Sequence, residues 1–352
     1  KWYGGMYGWA WPHGFYNIAK AAIVGATNAF LLTKDSDYLN LPRTQVDHIM
    51  ELGEVRNPDE EDMSLGEHWE HILKDISNTA GTFIVPYRHS DNGWFDYQPM
   101  TPRYPTIIWH LSMHEDDWKR IETIRSKSNY DWTKVHSFHT KEDAHHEAPW
   151  LRFLAGENPD YPKSILKASY QQVCHRLDQI RSDTEDLTKV HIHHWQQLNP
   201  VTTEALIQLT LGAPQLIYNG GLLMSRLRYF DPNLERPGLP KDVAALVEKI
   251  EENRTVLKLI NLSPIDSQDV IVQAGGFGEH LFKSAKYTAL TSNYPGELGK
   301  GVPGVQTTIQ SVPIMDKYLR IHIPQAMQIT IDLEMDHFVN DPTYSLPWDN
   351  TP

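Results

Sequence analysis

The chain holds a single cysteine, Cys174, among 352 residues. No intrachain disulfide can form, so the fold must rest on a packed core, which a chain of this length can supply. One cysteine fits the cytoplasm, and it fits equally the many periplasmic proteins without disulfides. Long apolar runs are missing too. None approaches the length that crosses a bilayer, so no membrane partner is expected. Basic residues are outnumbered: 32 Lys and Arg face 45 Asp and Glu, for a net charge of -13. That balance argues against general nucleic-acid binding, which needs a basic footprint. It leaves an acidic ligand open, because a local Arg patch can sit in an acidic whole. The glycine run Gly275-Gly276-Phe277-Gly278 lacks the Lys-Ser/Thr of a phosphate loop and reads as a turn. With neither an initiator Met nor a signal peptide, the chain is expected to be processed, trimmed or a fragment.

What the chain does have is tryptophan, 11 in all. The opening seventeen residues interleave Trp2, Tyr3, Tyr7, Trp9, Trp11, His13 and Tyr16 with glycine. Glycine admits tight backbone shapes, and aromatic rings offer flat apolar faces with polar edges. Together they suit a cleft that stacks on a hydroxylated ring such as a sugar. An aromatic core corner is the plainer reading of the same residues. A second stretch of this character runs from Tyr87 to Tyr104.

Residues 14–33 read as a helix, with Phe15, Ile18, Ala19, Ala22, Ile23, Ala26 and Phe30 at helical spacing. Asp35 or Ser36 opens a connection to a second helix ending near Glu51, with Val46, Ile49 and Met50 on one face. Residues 57–63 read as an acidic loop and 67–78 as a third helix. Runs at 82–87 and 94–97 flank the turn-rich His89-Ser90-Asp91-Asn92-Gly93, which predicts a hairpin or structured loop. Helices are expected near 105–113, 116–127, 146–155, 162–182 and 201–211, with a His-rich loop at 128–145. After about residue 212, Pro and Gly punctuate the chain, and one more helix is expected at 241–252. The runs 255–261, 269–273, 280–290, 306–312, 318–323 and 327–333 alternate in twos and predict an antiparallel sandwich.

The phrase from Asn28 through Leu31-Leu32-Thr33-Lys34-Asp35-Ser36-Asp37-Tyr38-Leu39 to Pro42 resembles the helix-to-helix turn of the (α/α)-toroid carbohydrate-active enzymes. Polysaccharide lyases and glycoside hydrolases of that kind carry a C-terminal β-sandwich. Lys34 stands where glycine is usual. Trp2-Tyr3-Gly4-Gly5-Met6-Tyr7-Gly8-Trp9 is similar to a motif that a family of secreted bacterial proteins carries mid-chain, with toroid helices upstream. The resemblance implies an α+β multidomain chain: a partial (α/α) toroid of helical hairpins over 1–212, a connecting segment with one helix over 213–253, and an antiparallel β-sandwich with its tail over 254–352. It also implies a carbohydrate substrate, a periplasmic or secreted location, and a missing N-terminal part of the same protein.

Four constellations carry possible chemistry. Tyr3, Tyr7, Trp9, Trp11, His13 and Asn17 form one, and Arg88, His89, Asp91, Trp94, Tyr97, Arg103 and Tyr104 another. β-Elimination at a uronate needs a group that neutralises the carboxylate, here Asn17, Arg88 or His89. It also needs one that takes the adjacent proton, here Tyr7, His13 or Tyr97. Hydrolysis would use Asp91 or Asp96 beside aromatic rings as a general acid. Glu51, Glu67 and Glu70 are possible second carboxyls, and each reads more simply as a solvated helix charge. His136, His139, His145 and His146 with Glu147, and His191, His193 and His194, are the histidine clusters. No cofactor is required, and should a divalent metal bind, 191–194 is the first choice and 139–147 the second. Arg226 and Arg228 follow the turn Asn219-Gly220-Gly221 and suit a substrate carboxylate or sulfate, or an edge strand.

The expectation is an enzyme that cleaves glycosidic linkages, most simply by elimination. Tyr7, His13, His89, Asp91 and Tyr97 are its catalytic residues. Trp2, Trp9, Trp11, Asn17, Arg88, Trp94, Tyr104, Arg226 and Arg228 bind substrate. Carboxylate-based hydrolysis and non-catalytic glycan binding are the rivals, and a dehydratase or isomerase of small molecules is a more distant one.

Overall fold

Apolar residues spaced for a helix do make one: α1 spans Gly14–Thr33. Ile23, Val24, Thr27, Phe30 and Leu31 form its buried face, and the Thr27 hydroxyl donates to the Ile23 carbonyl at 2.7 Å. The helix stops at Lys34, which takes a left-handed φ of 64° and donates its N–H to the Phe30 carbonyl at 2.7 Å. A left-handed residue explains why glycine suits this turn, and a lysine there carries the strain of its Cβ. Asp35 caps a 3₁₀ turn at Ser36–Leu39 by accepting the Asp37 N–H at 3.0 Å, and α2 follows over Asn40–Glu51.

The computed structural model describes residues 14–57, 81–90, 93–137, 146–191, 194, 198–214, 222–292 and 305–349. The helix expected at 67–78 and nearly all of the acidic loop at 57–63 lie outside them. The chain divides into two units, Lys1–Gln208 with Pro214–Met224, and Leu209–Ala213 with Ser225–Pro352. The architecture is α+β, and every strand pair among the described residues is antiparallel.

In the first unit β1 (Glu54–Arg56), β2 (Thr82–Ser90) and β3 (Gly93–Pro99) form a sheet in that order. The hairpin was legible, whereas β1 was not, so residues 1–212 are less purely helical than expected. Then come α3 (Arg103–Ser112), α4 (Glu115–Lys127), α5 (Glu147–Leu154), α6 (Tyr161–Ser182) and the single turn α7 (Glu204–Leu206). A π turn at Ile207–Leu211 replaces the rest of the helix expected over 201–211. From Ile23 onward the apolar face of α1 packs on α2, β2 and α3 of its own unit. Asp117 on α4 clamps α2: it accepts from Arg43 at 2.7 Å, Ser112 at 2.5 Å and Arg120 at 2.6 Å. Burial raises this carboxyl, but its hydrogen bonds and cationic neighbours outweigh burial and hold it below the usual range.

The second unit contains β4 (Leu227–Asp231), β5 (Arg236–Pro237), β6 (Val243–Glu251), β7 (Arg254–Asn261), β8 (Gln268–Ala274), β9 (Leu281–Ser292), β10 (Val305–Asp316), β11 (Tyr318–Ile323) and β12 (Gln328–Asp336). They form a five-stranded sheet, β10-β9-β12-β7-β6, and a four-stranded one, β11-β8-β4-β5. The segment expected to connect through one helix at 241–252 is instead strand. Val243 through Glu251 pairs along β7, with a bulge between Val247 and Lys249. The bulge shifts the alternation, so the buried residues are Val243, Val247 and Ile250, a spacing that imitates a helix. Sheet structure in this unit therefore starts at Leu227 rather than near 254.

The glycine run is a turn, as expected, but a loaded one. Its Gly276 and Phe277 N–H groups donate to the buried Glu279 carboxyl at 3.3 and 2.7 Å. Burial nevertheless pushes that carboxyl up to about 7. A Cβ on Gly275, where φ is 88°, would stand 2.3 Å from a Glu279 oxygen. Gly275→Ala should therefore lower stability by roughly 2 kcal/mol or more. Gly156→Ala, at φ 80° with nothing within 4 Å, isolates backbone strain and should cost about 1 kcal/mol. Urea midpoints of both variants test this, and equal losses would refute the close approach.

Candidate functional site

The β2–β3 register pairs Pro86 with Tyr97, Arg88 with Phe95, and His89 with Trp94. Positions alternate along a strand, so Arg88 and Tyr97 share one parity and His89 and Trp94 the other. The pleat thus divides the second constellation. Tyr97 is half-buried, and the Arg56 guanidinium lies 5.0 Å from its ring centroid. Glu54 holds that guanidinium at 2.5 Å. Arg56 was missed from sequence because the residues of β1, between the helix ending near Glu51 and the loop at 57–63, were assigned to no element. Trp94 is also half-buried. Asn17 lies on α1, while Trp2, Tyr7, Trp9, Trp11, His13 and Asp91 lie outside the described residues. Tyr104 is buried, with Arg103 over its ring at 5.9 Å.

A second group gathers at helix starts; the sequence marks Arg103 beside Tyr104, and His136, His146 and Glu147 in a His-rich tract, but not Tyr161, Glu204 or Gln208. Arg103 opens α3, Glu147 opens α5, Tyr161 opens α6 and Glu204 opens α7, and all four are buried. The Glu204 carboxylate accepts the His146 backbone N–H at 2.9 Å and bonds its Nδ1 at 2.8 Å. Gln208 donates to the same carboxylate at 3.4 Å and accepts the Tyr161 hydroxyl. Nε2 of His146 lies 3.1 Å from the His136 carbonyl and 3.2 Å from the His136 backbone nitrogen. The imidazolium donates to the carbonyl and the neutral ring accepts the N–H, so either protonation state is satisfied. Burial disfavours the charged ring, but the charge and hydrogen bond of Glu204, helped by Glu147 and the His136 carbonyl, hold its pKa above the ordinary value.

Glu147 has fewer partners. Neither carboxyl oxygen is hydrogen-bonded, and Arg103 Nε stands 3.9 Å away. Burial pushes this carboxyl up to about 7, with Glu204 adding to the rise and Arg103 and His146 opposing it. Burial and the same carboxylates also push up the Tyr161 phenol. The result is one carboxyl kept protonated near neutrality beside another engaged by a histidine.

In the second unit Arg226 is buried rather than open to a substrate. Its Nη1 approaches both ring nitrogens of His337, at 2.5 and 3.0 Å, and burial lowers its pKa to about 9 against the pull of Glu279. Arg228 is half-buried, donates to the Gly276 carbonyl at 3.1 Å and covers Phe230. Its strand lies between β8 and β5, so it is not an edge. His194 pairs with Asp183 at 2.7 Å, while His139, His145 and His193 lie outside the described residues. Among the described residues no group of three or more His, Cys, Asp or Glu is arranged to hold a metal ion. No described helix is long and apolar enough to cross a membrane.

Residues 1–207 match the family described as "Domain of unknown function (DUF8034)", and the chain belongs to that family. No curated protein matches it. Two solved structures share 18% identity with it over 28% of this chain, at a TM-score of 0.19. They are the thermostable GH51 α-L-arabinofuranosidase from Thermotoga petrophila RKU-1 and the α-L-arabinofuranosidase from Thermotoga maritima in an arabinose complex. The match covers 20% and 21% of those two chains. At that score the likeness carries no argument about fold or activity.

A carboxyl whose folded pKa exceeds its unfolded value holds its proton more tightly when folded. For Glu147, stability is unaffected below the ordinary value of 4.5, falls as pH rises toward about 7, and stays lower above it. Glu147→Gln keeps the shape and removes the titration. The variant should match the parent near pH 4 and exceed its stability near pH 8, by on the order of 2–3 kcal/mol. Urea unfolding at the two pH values measures the gap, and a gap equal at both would refute the raised carboxyl.

Proposed function

We propose that this DUF8034 chain cleaves glycosidic linkages in a polysaccharide or its oligosaccharides by β-elimination at a uronate. One observation carries the reading: a phenol and a permanent cation meet at the hairpin, with Arg56 5.0 Å over the Tyr97 ring and both residues partly exposed. Elimination removes a weakly acidic proton beside the uronate carboxylate. A guanidinium facing that carboxylate makes the proton more acidic; the tyrosine takes it as its phenolate and, now a phenol, hands it to the departing glycosidic oxygen. The C–H electron pair becomes the new double bond, and the glycosidic oxygen leaves with a proton. Tyr7, His13, His89 and Asp91 remain the companion catalytic residues of the proposal. Trp2, Trp9, Trp11, Asn17, Arg88 and Trp94 remain its binding residues, joined by Arg56.

The architecture proposed with it is a partial (α/α) toroid and a β-sandwich. The short links between α3 and α4 and between α5 and α6 support helical hairpins. Buried residues recurring on strands of both sheets, such as Leu257, Leu259 and Leu333 on one and Val270 and Val272 on the other, support two facing layers. The proposed location is periplasmic or secreted, and the proposed partner is the carbohydrate itself. The alternative reading is hydrolysis with Asp91 as general acid or base.

Uronate-containing and neutral glycans should be incubated with purified protein and the products followed by ultraviolet absorbance. Elimination leaves an absorbing unsaturated sugar; hydrolysis does not; a binding protein gives no turnover. Tyr97→Phe should lower the rate by about 10²–10⁴-fold with little change in substrate affinity, since the ring remains. Glu147→Gln should keep most of the rate, whereas Asp91→Asn should cost binding or stability more than chemistry. Products without a double bond, an active Tyr97→Phe and an inactive Asp91→Asn would replace elimination with hydrolysis.

A further inference from the structure

The five-stranded sheet of the second unit splits. β9 pairs with β12 from Leu281↔Asp336 to Tyr287↔Ile331 and no further. Beyond Tyr287, β9 stays with β10 as far as Ser292↔Val305. β12 stays instead with β7 as far as Gln328↔Ile260. In an antiparallel sheet each strand offers alternate N–H and C=O groups to either side. At the fork, the groups facing the split meet no neighbouring strand among the described residues. A groove of about 420 Å³ opens there.

Its chemistry is specific. Tyr287 supplies an aromatic ring, fixed by its hydroxyl donating to Gln310 Oε1 at 2.9 Å. Thr288, Gln328 and Thr330 are exposed and bring hydroxyls and an amide, which donate and accept. His322 bonds Asp269 through Nδ1 at 2.8 Å, which leaves Nε2 of the neutral ring as an acceptor. Met327 adds apolar surface. Among the described residues no Lys, Arg, Asp or Glu lines the groove, so none of them would neutralise a phosphate or a carboxylate. An apolar ring face bordered by uncharged donors and acceptors matches a sugar, whose C–H face is apolar and whose hydroxyls both donate and accept. The volume lies toward the lower end of small-ligand sites, room for on the order of one or two sugar rings.

We propose that the fork between β9 and β12 is a binding subsite for an uncharged glycan. This goes beyond the cleavage reading and does not depend on it. Tyr287 is the stacking platform, and Thr288, Gln328, Thr330 and His322 are the hydrogen-bonding rim.

The test is equilibrium binding of the full chain, without turnover, so an inactive protein still reports. The probes are an array of gluco-, xylo-, manno-, galacto- and arabino-oligosaccharides, with trigalacturonate and a strand-forming heptapeptide as comparators. At least one neutral oligosaccharide should bind saturably. Tyr287→Ala should weaken it by about tenfold or more. Thr330→Lys, on an exposed position, should block the groove and give a similar loss. Melting curves confirm that both variants are folded. Silence across the neutral array overturns the proposal, as does neutral-sugar binding that survives both substitutions. Heptapeptide binding lost in both variants, with no neutral sugar bound there, would reassign the fork to strand addition.

Discussion

Burying Glu204 obliges a proton donor to stay beside it, and His146 is that donor. A carboxylate out of water is costly unless it is paired and hydrogen-bonded. The pair at 2.8 Å, the backbone N–H at 2.9 Å and Gln208 behind them provide both. Much of the helical unit's interior follows from this. His146 is drawn to the start of α5, which fixes Glu147 next to it. Burial by itself disfavours a charge on Glu147, the negative charge held at Glu204 adds to that, and Glu147 keeps its proton instead. Tyr161, which closes the ring of contacts through Gln208, stays neutral for the same reason.

Other charges of this unit obey the same constraint by different means. Asp117 is surrounded by two arginines and a serine. Arg152 is buried with Glu122 at 2.7 Å and Glu157 at 3.3 Å, and lies over the faces of Trp118 and Trp132. These networks join residues far apart in the chain, and losing one partner strands the other. In the strand-rich unit Glu279 is held instead by backbone N–H groups of a glycine turn. The tail reinforces that turn: Asn340 N–H donates to the Glu279 carbonyl and Thr343 N–H to that of Phe277.

Helices and strands with unbroken periodicity could be read directly from sequence, as α1, α6 and β11 were. Segment 243–251 could not. Its Ala, Leu, Glu and Lys favour helix, and the bulge after Val247 gives the strand a helical spacing of buried residues. The hairpin was visible, but its partner Arg56 lies on a strand of only three residues. Glu147 and Glu204 were hard to pair because 57 positions separate them, as their numbers give. One signal was present all the same. Glu147 is followed by Ala148, Pro149, Trp150 and Leu151, which leaves no polar face to carry the acid into solvent. The aromatic opening stretch, the strongest feature of the sequence, lies outside the described residues.

The order of strands in the five-stranded sheet bears on how the protein is made. β12 is last of the five in sequence, yet it lies in the middle, between β9 and β7. Until it emerges from the ribosome, β6–β7 and β9–β10 are two separate ribbons, each with an edge waiting for it. Contacts that span so much chain form slowly, and open edges attract the wrong neighbours in the interval. The sheet therefore cannot close before β12 has been made. Its vulnerable moment is the pause between making the ribbons and delivering the strand that joins them, and a cell that produces this protein must keep those edges apart until then.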